Sequence, residues 1–218
     1  MGVNDREVVV APAFPYLAQA AVLARGKNIV LAAQNFYPAE NGAFTGEVSL
    51  AMLADIGVRT VIIGHSERRH IIGETPQQIR EKVAFAQKKG FRTIFCIGET
   101  LPQRERGELF AVIDHQISTA FDDNLTCPLE GLVIAYEPVW AIGTGINATG
   151  SQAQEMHEYI RRFMEQRYGR RDTTILYGGS VKPDNIAELM KMPDIDGVLV
   201  GGASLKAGSF MEIVFWDR

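Results

Sequence analysis

The sequence predicts an α/β fold built on a parallel sheet, and two observations support that prediction. Seven short runs along the chain are apolar at consecutive positions instead of alternating ones, as in strands that are covered on both faces. Between these runs, apolar residues recur at helical spacing, which indicates crossover helices. The predicted strands are Glu7–Ala11, Ile29–Ala33, Thr60–Gly64, Arg92–Cys96, Leu132–Tyr136, Thr173–Tyr177 and Gly197–Val200.

Local chemistry marks several helix ends. Thr75 is followed by Pro76 and, three residues on, by Gln78, a pattern typical of a helix N-terminus. Ser151, followed three residues later by Gln154, predicts a second N-terminus. Gly90 after a pair of lysines predicts a C-terminus.

The strand–helix units follow one another without a linker rich in Pro, Gly or Ser, so we expect one continuous domain over residues 1–218. An open doubly wound sheet and a barrel both fit this order of elements. No G-x-G-x-x-G motif follows the first strand, whereas glycine-bearing turns follow the last two strands. That placement favours a barrel, in which such turns often hold phosphate.

Composition argues against several functional classes. Twenty-six acidic and 22 basic residues give a formal charge of −4, and basic residues occur at most in pairs, so no nucleic-acid surface is expected. The two cysteines, Cys96 and Cys127, are too few for a disulfide framework and indicate reduced thiols in the cytoplasm. No stretch approaches the roughly 18 apolar residues of a membrane span, so no membrane association is expected.

Three candidate catalytic side chains follow buried strands. His65 and Glu67 come after the third predicted strand, and Glu137 comes after the fifth. In parallel α/β folds, the carboxyl ends of the strands face the active site. A carboxylate flanked by Pro138 and apolar residues suits a general base near neutral pH. The alternatives are a structural histidine beside solvated charges and a surface carboxylate that caps a turn.

Paired glycines follow the last two strands, at Gly178–Gly179 before Ser180 and at Gly201–Gly202. Such turns let backbone N–H groups approach a phosphate closely, although simple tight turns are the alternative. His70, His115 and His157 show no metal-ligand spacing, so no metal site is expected.

Four segments carry a specific resemblance when taken in order. They are Ile63–Arg69, Ala135–Gly145, Tyr177–Val181 and Val200–Ser204. Together they resemble triosephosphate isomerase, and the resemblance runs from about Val8 to the C-terminus. It implies a TIM (β/α)₈-type barrel, of which this chain holds about seven β/α units. It also implies the interconversion of dihydroxyacetone phosphate and D-glyceraldehyde 3-phosphate, a small phosphorylated triose substrate and no cofactor.

The resemblance also implies residue roles. Glu137 would be the base that moves a proton between two substrate carbons, His65 the neutral electrophile, and Glu67 a carboxylate that helps to arrange the site's hydrogen bonds. The substrate phosphate would be bound by Gly143, Ser180, Gly201 and Gly202. The implied closing lid comprises Pro138, Val139, Trp140, Ala141, Ile142, Gly143, Thr144 and Gly145.

One departure from the family pattern concerns the N-terminal region. Family members begin with a strand that ends in an Asn-Trp-Lys-Met-Asn-type motif, and this sequence contains none, so we expect the first β/α unit to be missing. Without that lysine, we expect weak or absent isomerase activity. The alternative is a catalytically weak or inactive phosphate-binding or oligomeric scaffold. Open strand edges favour a homo-oligomer that differs from the usual family dimer.

Overall fold

A computed structural model of the chain describes residues 5–121, 129–141 and 148–218. The sheet has seven strands, and their order in the sheet is their order along the chain. Within the first four strands, and within the last three, each strand is parallel to its neighbour. They are β1 (Val9–Val10), β2 (Val30–Ala33), β3 (Thr60–Ile63), β4 (Arg92–Ile97), β5 (Leu132–Tyr136), β6 (Thr174–Tyr177) and β7 (Gly197–Val198). All seven predicted strands are confirmed, and β1 and β7 are shorter than expected.

Helices lie between successive strands, as the α/β prediction requires. Within the described residues, they are α1 (Phe14–Ala24), α2 (Leu50–Asp55), α3 (Pro76–Lys88), α4 (Leu101–Glu105), α5 (Leu109–Phe121), α6 (Gly150–Tyr168), α7 (Ile186–Leu189) and α8 (Ala207–Val214). A π-helical turn covers Arg68–Ile72, and 3₁₀ turns cover Val139–Ala141 and Gly202–Leu205. Across the same residues, no helix combines the length and apolarity needed to cross a membrane.

The middle strands are buried on consecutive residues. All four residues of β3 and all five of β5 are buried, as are the last five of the six residues of β4. Both faces of these strands therefore pack against other parts of the protein, which explains their lack of apolar–polar alternation.

The predicted start of α3 is confirmed. The Thr75 hydroxyl accepts a hydrogen bond from the Gln78 backbone N–H at 3.2 Å, and the Gln78 side chain accepts one from the Thr75 N–H at 2.8 Å. Pro76 occupies the first turn, where its missing N–H costs nothing. The helix ends at Lys88, and Gly90 follows with a φ of 68°, as expected for a C-terminal glycine.

The predicted start of α6 is wrong by two residues. The N-cap is Thr149 with Gln152 three residues on, and Ser151 is already inside the helix. Gln154 does not cap the helix. Its side-chain amide donates a hydrogen bond to Asp194 Oδ2 at 2.6 Å instead.

The chain divides into two compact units. The first comprises Met1–Phe95 with Thr119–Leu132, and the second comprises Cys96–Ser118 with Val133–Arg218. The expectation of a single domain over residues 1–218 stays a prediction.

The first unit contains a buried cluster of charged side chains. Lys82 Nζ donates to a carboxylate oxygen of Glu74 and, at 2.7 Å, to Asn35 Oδ1. Arg68 Nε lies 3.4 Å from the other oxygen of Glu74. Burial lowers the pKa of Lys82 below its usual value, and the contact with Glu74 partly opposes that shift.

We predict that Lys82→Met destabilises the fold by about 3 kcal/mol, because it leaves the buried Glu74 carboxylate without its main partner. The double variant Lys82→Met/Glu74→Leu should recover part of that loss. Urea unfolding measures both free energies. Lys88→Met, at an exposed position on the same helix, is the control; equal effects at positions 82 and 88 would contradict the prediction.

The second unit has a fully buried histidine on α6. The His157 ring lies edge-on to Tyr136, with ring centroids 5.9 Å apart, and its Nδ1 lies 3.2 Å from the backbone oxygen of Asp194. Since a carbonyl only accepts, Nδ1 carries the proton of the neutral ring. Burial lowers the pKa of His157 from 6.5 to about 4.

This shift predicts acid sensitivity. The unfolded state binds a proton as pH falls below 6.5, whereas folded His157 resists protonation until about pH 4, so its contribution to stability is lost across that window. At pH 5 the loss should be about 2 kcal/mol relative to pH 8. Urea unfolding at both pH values should show this component in the parent chain and in His115→Gln, but not in His157→Gln. An unchanged pH dependence in His157→Gln would contradict the prediction.

Candidate functional site

In the first unit, His65 lies just beyond the carboxyl end of β3. Gly64 makes the turn with a φ of 72°, a conformation that favours glycine. The backbone N–H of Glu67 donates to His65 Nδ1 at 3.3 Å. Because Nδ1 accepts this bond, the neutral ring carries its proton on Nε2. The backbone thus prepares His65 to donate one hydrogen bond from Nε2.

Glu67 lies beside this histidine and faces solvent. Its carboxylate is 3.8 Å from His65 Nδ1, beyond hydrogen-bond distance, and its side chain is 67% exposed. The neighbouring Ser66 is buried. The structure therefore places His65 and Glu67 side by side, and the role predicted for Glu67 stays a prediction.

In the second unit, Glu137 lies just beyond the carboxyl end of β5 and is 2% exposed. Its backbone N–H donates to the Ile97 carbonyl oxygen at 2.7 Å, which extends the strand pairing one residue past β5. The alternative interpretation, a surface carboxylate that caps a turn, does not fit, because Glu137 is buried.

Two glycines flank Glu137 at very close range. A β-carbon on Gly98 would overlap the Glu137 carbonyl oxygen and lie 2.6 Å from its carbonyl carbon. A β-carbon on Gly178 would lie 2.8 Å from Glu137 Cγ. Real β-carbons do not make such contacts, so both positions require glycine. Gly98 packs against the backbone of Glu137, and Gly178 packs against its side chain.

A second buried carboxylate, Glu99, follows β4. It accepts hydrogen bonds from the Tyr136 hydroxyl at 3.0 Å, from Trp140 Nε1 at 2.9 Å and from an Arg104 guanidinium nitrogen at 3.1 Å. Arg104 also lies over the Trp140 ring, 4.9 Å from its centroid. Burial, together with the charge of Glu99, raises the pKa of Tyr136 well above its usual value.

The turn after β6 is held by Asn185. Its side-chain amide donates to the Ser180 carbonyl at 2.9 Å, and its Oδ1 accepts the Lys182 backbone N–H at 2.8 Å. The turn after β7 is open instead: β-carbons on Gly201 and Gly202 would meet no atom within 4 Å. An incoming anion can therefore approach both backbones closely.

The predicted lid is described only in part. Val139–Ala141 forms a 3₁₀ turn, and the Trp140 side chain is tied to Glu99. Ile142, Gly143, Thr144 and Gly145 lie outside the described residues, so the predicted phosphate contact of Gly143 stays a prediction. Among the residues that the structure describes, no group of three or more His, Cys, Asp or Glu is arranged to hold a metal ion.

Comparisons with known proteins match this arrangement. The family model described as "Triosephosphate isomerase" matches residues 2–215. A triosephosphate isomerase of Chloroflexus aurantiacus is 49% identical over 217 residues, which cover 98% of this chain and 87% of the relative. Those of Carboxydothermus hydrogenoformans and Pelobacter propionicus are each 51% identical, over 97% and 98% of this chain and 86% of each relative.

The chain belongs to the triosephosphate isomerase family. The TIM-barrel class of α/β fold predicted from the sequence is thereby confirmed. The predicted absence of a first β/α unit is not supported by the comparisons and stays a prediction.

Sequence reasoning missed two residues of this isomerase-family site. Glu99 follows a buried strand directly, and the rule that selected Glu137 selects Glu99 as well. Gln116, on α5, makes two hydrogen bonds to the backbone of Gly98, and it lies 18 residues further along the chain. No sequence pattern signals that contact, because it depends on how α5 packs.

We predict that Gly98→Ala lowers the free energy of unfolding by about 3 kcal/mol, because the added methyl collides with backbone. Gly208→Ala is the matched control, since Gly208 lies in α8 with no atom within 4 Å of a β-carbon. That change should stabilise the protein by about 0.5–1 kcal/mol through helix propensity. Chemical denaturation measures both, and equal effects would contradict the close approach at Gly98.

Proposed function

We propose that this chain interconverts dihydroxyacetone phosphate and D-glyceraldehyde 3-phosphate. The observation that carries the proposal is the buried carboxylate of Glu137, held at a strand end between Gly98 and Gly178 in a member of the triosephosphate isomerase family. A carboxylate so shielded from water is suited to remove a proton from carbon.

In the proposed mechanism, Glu137 takes a proton from the substrate carbon beside the carbonyl, and an enediol-type intermediate forms. Glu137 then returns a proton to the adjacent carbon, while the proton of the substrate hydroxyl passes to the former carbonyl oxygen, so no atoms are gained or lost overall. The Nε2–H of His65 donates to the substrate oxygens as negative charge develops on them, an assignment supported by the Nδ1 contact with the Glu67 N–H. The proposed reaction uses no cofactor.

The substrate phosphate is proposed to bind at the turns that follow β6 and β7. Ser180 belongs to a turn held by Asn185, and the backbones of Gly201 and Gly202 are open to an anion. Lid closure by residues 138–145, with the Gly143 N–H on the phosphate, is proposed by resemblance.

Self-association and a cytoplasmic location are also proposed. Helix α1 buries Leu17 but leaves Tyr16, Val22 and Leu23 each more than half exposed, which favours a homo-oligomer that covers them. Cys96 is a fully buried cysteine, in keeping with a reducing compartment.

A steady-state isomerase assay on the purified chain tests the proposed function. We expect activity that Glu137→Gln lowers by about 10²–10⁴-fold and that His65→Gln lowers by about 10²-fold, because one removes the base and the other the electrophile. The exposed Glu105→Gln, on α4, should leave activity unchanged.

Activity that survives Glu137→Gln would contradict the assignment of the base. A chain without activity that still binds inorganic phosphate, and loses that binding with Gly201→Val, would favour the scaffold alternative.

A further inference from the structure

Gln116 pairs with the backbone of Gly98 as a neighbouring strand would. Its Oε1 accepts the Gly98 N–H at 2.9 Å, and its Nε2 donates to the Gly98 carbonyl oxygen at 3.0 Å. A carboxamide carries the same donor and acceptor as a peptide group, so one side chain satisfies both backbone groups of Gly98. On the same helix, α5, the neighbouring residues Ile113 and Ile117 are fully buried and anchor the helix.

The opposite edge of the same segment faces Glu137. The backbone carbonyl oxygen of Ile97 accepts a hydrogen bond from the Glu137 N–H at 2.7 Å, and that of Glu99 accepts one from the Val139 N–H at 3.1 Å. The intervening Gly98 has its N–H and carbonyl on the other edge, where both bind the Gln116 side chain. Residues 97–99 are therefore held from both sides, by Gln116 on one and by the glutamate segment on the other.

This arrangement links the glutamine to the carboxylate. The Glu137 carbonyl lies against the Cα of Gly98, with no room for a β-carbon between them. Glycine has the most freedom of any residue to change conformation, so the Gly98 peptide planes depend strongly on the hydrogen bonds that they make. If the amide of Gln116 is removed, two polar backbone groups lose their partner, and the segment shifts to find others.

We propose that Gln116 is a positioning residue for Glu137, acting through the backbone of Gly98. This inference rests on the proposed function, in which Glu137 is the base. Misplacing a catalytic group by about 1 Å costs on the order of 10²-fold in rate. Gln116 takes no part in the proposed phosphate binding at the turns after β6 and β7. Replacing it should therefore lower kcat and leave KM unchanged.

The test compares Gln116→Met, which keeps the length of the side chain and removes both hydrogen bonds, with His115→Met at the exposed neighbouring position. We expect Gln116→Met to lower kcat by about 10–100-fold with KM within about twofold, and His115→Met to change neither. In a Glu137→Gln background, Gln116→Met should have no further effect, because the two residues act through the same step.

Hydrogen exchange gives a readout that needs no activity. The backbone amides of Gly98 and Glu137 should exchange at least tenfold faster in Gln116→Met, while those of α8 stay unchanged. Gln116→Glu, which keeps an acceptor for the Gly98 N–H but loses the donor to its carbonyl, replaces Gln116→Met if that variant does not fold, with the same expected direction.

The outcomes separate the inference from the function on which it rests. If the parent chain is active and Gln116→Met keeps its kcat, or if its effect persists undiminished in the Glu137→Gln background, the positioning role is overturned. If the parent chain is inactive, the proposed function fails, and exchange alone decides: unchanged protection of the Glu137 amide overturns the inference, and faster exchange supports the positioning of residue 137.

Discussion

The site in the second unit depends on one steric constraint: three backbone segments meet around Glu137 with no space for a side chain on either flank. Gly98 and Gly178 provide that clearance, and hydrogen bonds from Glu137 and Val139 to the β4 segment hold the register. The backbone that carries this carboxylate has few alternative conformations, because the strands on both sides of it are closely packed. The position of the glutamate is thus a property of the sheet as much as of its own side chain.

Backbone also governs the chemistry of the first unit. The Glu67 N–H donates to His65 Nδ1 and leaves the proton of the neutral ring on Nε2, so a backbone group sets the tautomer. Each unit also holds a buried carboxylate that accepts hydrogen bonds from neighbouring side chains. Glu99 accepts from Tyr136 and Trp140, and Glu74 accepts from Lys82. A buried charge costs much less free energy when it is paired in this way.

The sequence predicted the strands well because burial on both faces leaves a local record, a run of consecutive apolar residues. It also predicted that Glu137 and His65 follow the ends of buried strands, since a polar residue directly after such a run is visible without tertiary information. The start of α6 was misplaced because Thr149–Gln152 and Ser151–Gln154 both match a capping box, and only packing shows that Gln154 serves Asp194. Gln116 was beyond reach for the same reason: its partner, Gly98, is distant in sequence.

The central claim is that Glu137 transfers a proton between adjacent carbons, and exchange with solvent in deuterium oxide tests it most directly. If Glu137 is the base, product formed from dihydroxyacetone phosphate should carry deuterium at the carbon next to the carbonyl, even at low overall turnover. Glu137→Gln should abolish that incorporation, while the exposed Glu105→Gln should not. Incorporation at the parent rate in Glu137→Gln would contradict the account.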